Sequence, residues 1–217
     1  MSSNSKAIHN NSSYPTGSLS KTERRTRYLA VTAMLSAVSI VLMQFDFSVP
    51  LMPSFIKMDL SDLPALIGSF AMGPLYGVAI ALIKNLLHLV RTSTGGIGEL
   101  SNFLLSAFFV APAGFIYQRN KSKKSAIIGA LTGAVLSALL SVLTNYFIVY
   151  PFYTAFMPRE TIIAMYQAIR PSIKDGDLLS CLLIFNMPFT FVKEMLSVVI
   201  CLLIYKPLSP LIHGTSR

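Results

Sequence analysis

The sequence predicts an all-α integral membrane protein with six transmembrane helices and both termini in the cytoplasm. Of the 217 residues, 53% are hydrophobic and only 12% are charged, and the mean hydropathy is +0.60. Soluble domains contain roughly 25% charged residues, so this composition indicates a membrane protein. Because a transmembrane helix needs about 20 apolar residues, the chain has room for about six crossings and little else.

Long apolar segments give the positions of the six helices. The second and third candidates run almost without interruption from Leu63 to Val90. We expect the break at the Gly73-Pro74 pair, because proline ends a helix and glycine permits a turn. This break shortens the second helix to about residues 62–73. The predicted spans are residues 28–45, 63–80, 75–91, 99–117, 125–150 and 178–205.

Polar segments flank this membrane domain, which we place at residues 27–207. Residues 1–26 begin with a Ser- and Asn-rich stretch and predict a disordered cytoplasmic tail. Residues 208–217 are predicted to form a second cytoplasmic tail. We expect the first helix to be uncleaved, because no small-residue cleavage site ends its apolar run. In the last outer loop, the stretch near residues 159–169 predicts a short helix.

The distribution of basic residues sets the orientation. With the N-terminus in the cytoplasm, the cytoplasmic segments hold eleven basic residues and one acid, Glu23, whereas the outer segments hold five basic and seven acidic residues. This asymmetry follows the positive-inside rule. The eleven basic residues are Lys6, Lys21, Arg24, Arg25, Arg27, Arg119, Lys121, Lys123, Lys124, Lys206 and Arg217.

Several function classes are disfavoured by what the sequence lacks. No GxxxxGK[ST] loop occurs, so the chain carries no recognisable ATPase. The net charge of +9 lies at membrane edges, which argues against nucleic-acid binding. Cys181 and Cys201 would be about 30 Å apart on one helix, too far for a disulfide, and the three histidines are too scattered for a metal site. An intramembrane enzyme would need a nucleophile–base pair or clustered carboxylates, and Glu194 alone lies securely inside a span.

Polar side chains nevertheless remain inside the apolar segments. A charged group inside a bilayer costs about 2.5 kcal/mol or more, so it is rarely idle. At 1.5 Å per helical residue, most of these groups fall in the outer half of the membrane, with Lys193 as the floor. They predict an outward-facing pocket for a ligand with polar atoms and rings, which points to transport or ligand capture. The candidate residues are Lys84, Asn85, Asn102, Asn145, Tyr146, Asn186 and Lys193.

These residues also have structural interpretations. Asn145 and Asn186 can hydrogen-bond a neighbouring helix instead of a ligand. Lys84 and Lys193 can extend to the interface or form buried ion pairs, with Glu194 as the partner of Lys193. Aromatic residues near the pocket, Tyr146 among them, can simply pack between helices.

The first outer loop, DFSVPLMPSFIKMDLSD at residues 46–62, is unusually rich in proline and bulky apolar side chains. One interpretation is an interfacial segment that rests on lipid. The other is a flap that packs over an apolar ligand. For the second interpretation, the candidate gating residues are Met52, Phe55 and Lys57.

Small residues form stripes on two helices. In the fifth helix, a Gly/Ser stripe predicts close approach of another helix; its members are Gly129, Gly133, Ser137 and Ser141. On the first helix, Ala33 and Ala37 lie four residues apart and therefore on one face. They can pack inside the bundle, or they can form a docking face for a separate membrane subunit.

Several strings of the sequence resemble a known family. The strings are TAMLSAVSIVLM, KMDLSDLPALIGSFAMGPLYGV, IKNLLHL, TGGIGELSNF, LTNYFIVYPFY and FNMPFTFVKEML, and the resemblance that they carry extends over about residues 28–206. The chain resembles the riboflavin-specific substrate-binding (S) components of bacterial energy-coupling factor (ECF) transporters.

This resemblance implies a six-helix protein of the bacterial cell membrane that captures riboflavin near the outer face, under the first loop. Riboflavin would be the transported ligand, no cofactor is implied, and FMN or another vitamin is the alternative ligand. An ECF transmembrane coupling subunit and two ATPase subunits would supply the energy. The family's AxxxA docking motif matches Ala33 and Ala37, and Asn145 and Lys193 match positions that contact the flavin ring.

Overall fold

Helices make up most of the chain in the computed structural model, which describes residues 20–50, 52–53, 56–92, 95–155, 158–171 and 177–213, with side chains up to Ile204. Most of the predicted N-terminal tail and the candidate gating residue Phe55 lie outside these residues. The helices are α1 Lys21–Gln44, α2 Asp62–Met72, α3 Pro74–His88, α4 Ile97–Arg119, α5 Lys123–Thr144, α6 Tyr150–Tyr153, α7 Arg159–Ile169, α8 Leu178–Cys181 and α9 Met187–His213.

Shorter elements join these helices. A 3₁₀ turn at Leu89–Arg91 follows α3. A π-helical segment, Asn145–Val149, makes α5 and α6 continuous, and a second, Leu182–Asn186, makes α8 and α9 continuous. The first outer loop contains two short antiparallel strands, β1 Phe47–Ser48 and β2 Lys57–Met58.

Within the described chain, five helical stretches are long and apolar enough to cross a membrane. They are Lys21–Gln44, Pro74–Arg91, Ile97–Arg119, Lys123–Tyr153 and Leu178–Ile204. The remaining predicted span corresponds to α2, which has 11 residues and is therefore about 16 Å long. That is about half the thickness of the hydrocarbon core, so α2 does not meet the length of a full crossing.

The break between α2 and α3 lies where the sequence predicts it. Gly73 has a φ of 113°, a conformation that a side chain disfavours, and Pro74 is the first residue of α3. Proline suits this position because the first helical N–H has no partner within the helix. Every residue of α2 is buried, and α2 contacts α1, α3, α4 and α9. The helix thus forms the centre of the bundle.

Helices α4 and α5 approach closely, as the Gly/Ser stripe of α5 predicts. A Cβ atom on Gly133 would clash with the backbone carbonyl of Phe109, and one on Gly129 would lie 2.7 Å from the carbonyl oxygen of Ala113. Ser137 donates a 3.1 Å hydrogen bond to the carbonyl of Leu105. The absence of side chains therefore lets the two backbones touch.

Helix α1 turns its polar face inward and its apolar face outward. Thr32, Ser36 and Ser39 are buried, whereas Met34 and Val38 are exposed. This arrangement suits a helix whose outer face meets lipid. The helix begins at Lys21, inside the predicted tail, because Ser20 and Glu23 form a capping box. At the other end of the chain, α9 continues to His213, beyond the predicted end of the membrane domain.

The outer loops contain one element that the sequence predicts and one that it does not. Helix α7 has the predicted bounds, Arg159–Ile169. The hairpin of β1 and β2 was not predicted, because two-residue strands are too short to show an alternating pattern. A 2.8 Å salt bridge between Lys57 and Asp46 joins the two sides of this loop.

Candidate ligand-binding site

A cavity lies between α4, the first π-helical segment with α6, and α9, with β2 beside it. Its space, including the open mouth, is about 750 Å³. Of the pocket residues predicted from the sequence, Asn102, Asn145, Asn186 and Lys193 line it. The full lining comprises Ile56, Lys57, Gly98, Ser101, Asn102, Leu105, Asn145, Val149, Tyr150, Tyr153, Asn186, Phe189, Thr190, Lys193 and Glu194.

Two of the lining asparagines belong to the π-helical segments. Asn145 begins the first segment and Asn186 ends the second. A π-helical turn contains an extra residue and so changes the direction of the following side chains, and such turns are frequent at functional sites. The Asn145 amide donates to the Ser141 carbonyl at 2.7 Å, while its Oδ1 accepts no hydrogen bond from the described residues. Asn145 can therefore offer an acceptor to a ligand.

Asn186 is held by a pair of tyrosines. Its Oδ1 accepts a 2.7 Å hydrogen bond from the hydroxyl of Tyr166, and the hydroxyl of Tyr166 is hydrogen-bonded to that of Tyr150. Tyr166 belongs to α7 and is fully buried, so the helix of the last outer loop fixes one wall of the cavity. Burial raises the pKa of the Tyr166 hydroxyl well above its usual value, which keeps it a neutral donor.

Asn85 supports the cavity from behind. It lies outside the lining, and its amide donates to the Ala81 carbonyl at 2.8 Å. Its Oδ1 accepts a 3.2 Å hydrogen bond from Asn102, which does line the cavity. Asn85 was predicted to line the pocket. In the structure it instead positions Asn102, which lines the cavity.

Four charged side chains form a buried cluster beneath the cavity. The Lys84 ammonium lies 2.6 Å from Asp62 Oδ1 and donates to Ser61 Oγ at 2.7 Å. The Lys193 ammonium lies 2.9 Å from Asp59 Oδ2 and 3.7 Å from Asp62 Oδ2. Two cations and two carboxylates therefore balance inside the bundle. We call Asp59, Asp62, Lys84 and Lys193 the buried ion cluster.

The cluster corrects two expectations about the lysines. Lys84 is fully buried behind the cavity and does not line it, because Asp62 and Ser61 occupy its ammonium. Lys193 forms its ion pairs with Asp59 and Asp62, and Glu194 is not within salt-bridge distance of it. Lys193 alone of the two lysines both belongs to the cluster and faces the cavity.

Asp59 connects the first outer loop to the floor of the cavity. It follows β2, is buried, and accepts a 2.8 Å hydrogen bond from the Ser61 backbone N–H. Burial raises the pKa of the Asp59 carboxyl, but Lys193 and Lys84 together with the Ser61 hydrogen bond hold that pKa well below its usual value. The carboxylate is therefore ionised and ties the base of the loop to α9 through Lys193.

Glu194 is the polar group of the lining that most needs a partner. Its side chain is 1% exposed, and its Oε2 has no hydrogen-bond partner among the described residues. The ion cluster is already neutral without it. A buried carboxyl oxygen left unpaired costs free energy, so a hydrogen-bond donor on a ligand would stabilise this wall.

The remaining predicted residues lie elsewhere. Tyr146 lines a separate surface depression with Phe147, and their rings stack edge to face at 5.1 Å. Of the gating candidates, Lys57 lines the cavity and is exposed, whereas Met52 does not line it. Ile56, which was not predicted, lines the cavity beside Lys57. The first outer loop thus forms part of the cavity wall, as the flap interpretation requires.

The site predicted from the sequence did not include the two acids of the buried ion cluster. Asp59 and Asp62 were counted among the acids of the outer loops, but both are buried. A signal for them was present, because Lys84 and Lys193 inside apolar helices need carboxylate partners. In the sequence, KMDLSD places two acids at the start of an apolar helix. Ser106, which hydrogen-bonds Asp62, carried no such signal.

The fold and the site together define a helical membrane protein with a polar cavity near one end of its bundle, the architecture of a substrate-binding transport component. Residues 27–205 match the model of the family described as ECF transporter, substrate-specific component. The chain belongs to this family. The family consists of transporter components, so the chain is a multi-pass membrane transport protein and the enzyme alternative is excluded.

Similar proteins carry consistent names. The chain is 30% identical to "Riboflavin transporter FmnP" of Bacillus subtilis over 192 residues, which covers 87% of this chain and 95% of the relative. It is 36% identical to "Riboflavin transporter RibU" of Staphylococcus aureus over 130 residues, 60% of this chain and 69% of the relative. A solved structure described as the S component of a bacterial ECF transporter superposes with a TM-score of 0.68 at 28% identity, covering 87% of this chain and 98% of that one.

The buried ion cluster leads to a stability prediction. Lys84→Met leaves Asp62 without its closest cation, and Asp62→Leu leaves Lys84 without its anion, so each single change should destabilise the protein by about 3–5 kcal/mol. The double variant should lose clearly less than the sum, because neither charge is then left unpaired. Unfolding of the purified protein in detergent measures these differences.

The exposed Lys57–Asp46 pair provides the matched control. Lys57→Met removes a lysine from a salt bridge whose side chains are 51% and 34% exposed, so it should cost no more than about 1 kcal/mol. Additive losses in the Lys84/Asp62 cycle would contradict the cluster, because the two side chains would then contribute independently.

Proposed function

We propose that this chain captures riboflavin at the outer membrane face, as the substrate-specificity subunit of an ECF-type transporter, and releases it inward when coupled to a separate energising module. The observation that carries the proposal is the cavity wall, where Asn145, Asn186 and Lys193 stand beside Tyr150 and Phe189. The names of the similar proteins from Bacillus subtilis and Staphylococcus aureus support riboflavin as the ligand.

The chemistry of the wall suits this ligand. The isoalloxazine ring system of riboflavin is a flat tricycle with a polar edge that has one donor and two acceptors, and the ribityl chain adds hydroxyl groups. Aromatic residues of the lining, Tyr150, Tyr153 and Phe189, can pack against the tricycle. The Asn145 Oδ1 can accept from a ring N–H, and the Lys193 ammonium can donate to a ring oxygen. Glu194 Oε2 remains for a hydroxyl or N–H of the ligand.

A binding measurement tests this function. The purified wild-type protein should quench flavin fluorescence at a near-stoichiometric ratio of ligand to protein. Asn145→Ala and Lys193→Met should each weaken binding at least about tenfold, because each removes a hydrogen-bonding group from the cavity wall. Lys121→Met, an exposed lysine outside the cavity, should bind as the wild type does. FMN added as a competitor distinguishes the alternative ligand.

Three results would contradict the proposal. A folded wild-type protein that does not bind riboflavin would refute the ligand. Normal binding by both cavity variants, each shown to be folded, would place the ligand elsewhere. Stronger competition by FMN than by unlabelled riboflavin would assign the phosphorylated flavin instead.

We also infer six crossings of the bacterial plasma membrane, with both termini cytoplasmic and α2 as the short sixth span. The concentration of basic residues at one end supports this orientation, since Arg119 ends α4 and Lys121 follows it, at the end where α1 begins. The cavity, with Asn145 and Lys57 in its wall, then opens toward the outside. The only cysteines of the chain, Cys181 and Cys201, are both buried.

Because the native cysteines are buried, introduced cysteines can report the orientation. Glu160→Cys in α7 should react with a membrane-impermeant maleimide in intact cells, because α7 belongs to an outer loop. Lys121→Cys should react only after the cells are permeabilised. Both positions are exposed. The opposite pattern would invert the orientation, and labelling of both in intact cells would disprove the assignment of Lys121 to the cytoplasm.

The partners proposed for this subunit are an ECF transmembrane coupling subunit and two ATPase subunits. Support comes from the family and from α1, where Ala33 and Ala37 are both exposed on the outer face of the bundle. Small side chains on an exposed membrane helix allow another helix to approach closely. The structure thus favours the docking interpretation of this stripe over packing inside the bundle.

Bulky side chains on this face should separate binding from transport. Ala33→Phe with Ala37→Phe should lower the recovery of the assembled complex and vitamin uptake at least about tenfold, while riboflavin binding by the isolated subunit stays unchanged, because neither residue lines the cavity. Val135→Phe, on the exposed side of α5, should assemble normally. Loss of binding in the double variant, or normal assembly, would rule out this docking face. Co-purification and whole-cell uptake provide the measurements.

A further inference from the structure

A second depression lies on the outer surface of the bundle, away from the proposed riboflavin site. It runs between α3 and α4, and every side chain that lines it is apolar. Ala107 and Ala111, one turn apart on α4, leave the space, and the rings of Phe108 and Phe115 border it. The lining residues are Pro74, Val78, Ala107, Phe108, Ala111, Pro112 and Phe115. We call this depression the α3–α4 groove.

One end of the groove has a concentrated positive charge. The Arg119 guanidinium lies 4.3 Å from the centre of the Phe115 ring, so it is held directly beside the last lining residue. Lys121, Lys123 and Lys124 follow within five residues and are exposed. The sequence contains no Asp or Glu between Glu99 and Glu160, so no carboxylate of this hairpin neutralises these cations.

The distance from the groove to the cations matches the distance from the acyl chain of a lipid to its headgroup. Along α4, Ala107 and Phe115 are about 12 Å apart, and Arg119 lies about 6 Å beyond Phe115. An apolar channel of this length in a membrane-spanning surface accommodates part of an acyl chain, and the basic end then meets the headgroup region. Basic groups between transmembrane helices at the cytoplasmic side are a recognised setting for acidic headgroups.

We propose that the α3–α4 groove binds one acidic phospholipid, with an acyl chain along Ala107 and Ala111 and its phosphate at Arg119. Charge complementarity selects the acidic lipid, because an apolar groove alone would take any acyl chain. In the proposed orientation, Arg119 is at the cytoplasmic surface, so the lipid belongs to the inner leaflet. This site is independent of the ligand in the outer cavity.

Lipid retention by the purified full-length protein tests the proposal. Phosphatidylglycerol and phosphatidylcholine with identical acyl chains are titrated in detergent, and bound lipid is counted by native mass spectrometry. The wild-type protein should bind phosphatidylglycerol more tightly. Arg119→Gln should reduce that affinity about fivefold, whereas Arg24→Gln, the same change at the exposed start of α1, should leave it unchanged.

A second variant tests the apolar part of the site. Ala111→Phe fills the groove and should abolish retention of both lipids, whereas Val135→Phe on the exposed face of α5 should retain them. If Ala111→Phe does not fold, the proposal is still tested by the phosphatidylglycerol affinity of Arg119→Gln, whose side chain is exposed. Equal binding of the two lipids by the wild type, or unchanged binding by Arg119→Gln, would overturn the proposal. If Ala111→Phe left lipid binding unchanged but weakened assembly with the other transporter subunits, the groove would be a site for a protein partner and the proposal would be overturned. Riboflavin binding in the same samples reports separately on the outer cavity.

Discussion

The structure depends on one electrostatic constraint: two lysines inside an apolar bundle must each find a carboxylate. Lys84 comes from α3 and Lys193 from α9, while Asp62 is the first residue of α2 and Asp59 lies just before that helix. Each charge would be costly alone. Their pairing fixes the start of α2 relative to two long helices, and it explains how a helix of only 11 residues is held at the centre of the bundle.

The same constraint connects the fold to the site. Lys193 belongs both to the ion cluster and to the cavity lining, and its partner Asp59 is the end of the first outer loop. A ligand acceptor that approaches Lys193 therefore meets an ammonium that already holds the base of the loop. Lys193 thus joins the base of the first outer loop to the cavity wall.

The rest of the cavity is formed by segments that depart from regular α-helical geometry. The two π-helical segments place Asn145 and Asn186 in the lining, and α7 adds Tyr166 from a loop to fix Asn186. These devices contrast with the tight contact of α4 and α5, where Gly129 and Gly133 let the backbones touch. Close packing lies on one side of α5, and the irregular helical segments on the other side border the cavity.

The sequence alone determined the membrane class, most helix boundaries, the break at Gly73-Pro74 and the close packing of α5, because these follow from composition and from local helical period. It also identified Asn102, Asn145, Asn186 and Lys193 as polar groups of one pocket, with Lys193 as its floor, and all four line the cavity. Family resemblance from the quoted motifs agrees with the family match over residues 27–205.

Only the tertiary structure decided which polar residues line the cavity and which lie behind it. Lys84 and Lys193 look alike in sequence, yet Lys84 is enclosed by Ser61 and Asp62 while Lys193 faces the cavity. Asp59 resembled a loop acid until folding placed it 2.9 Å from Lys193, 134 residues further along the chain. The local sequence pattern gives the position of a residue along its helix. Ion pairing depends instead on which helices meet, and the packing of the whole bundle determines that.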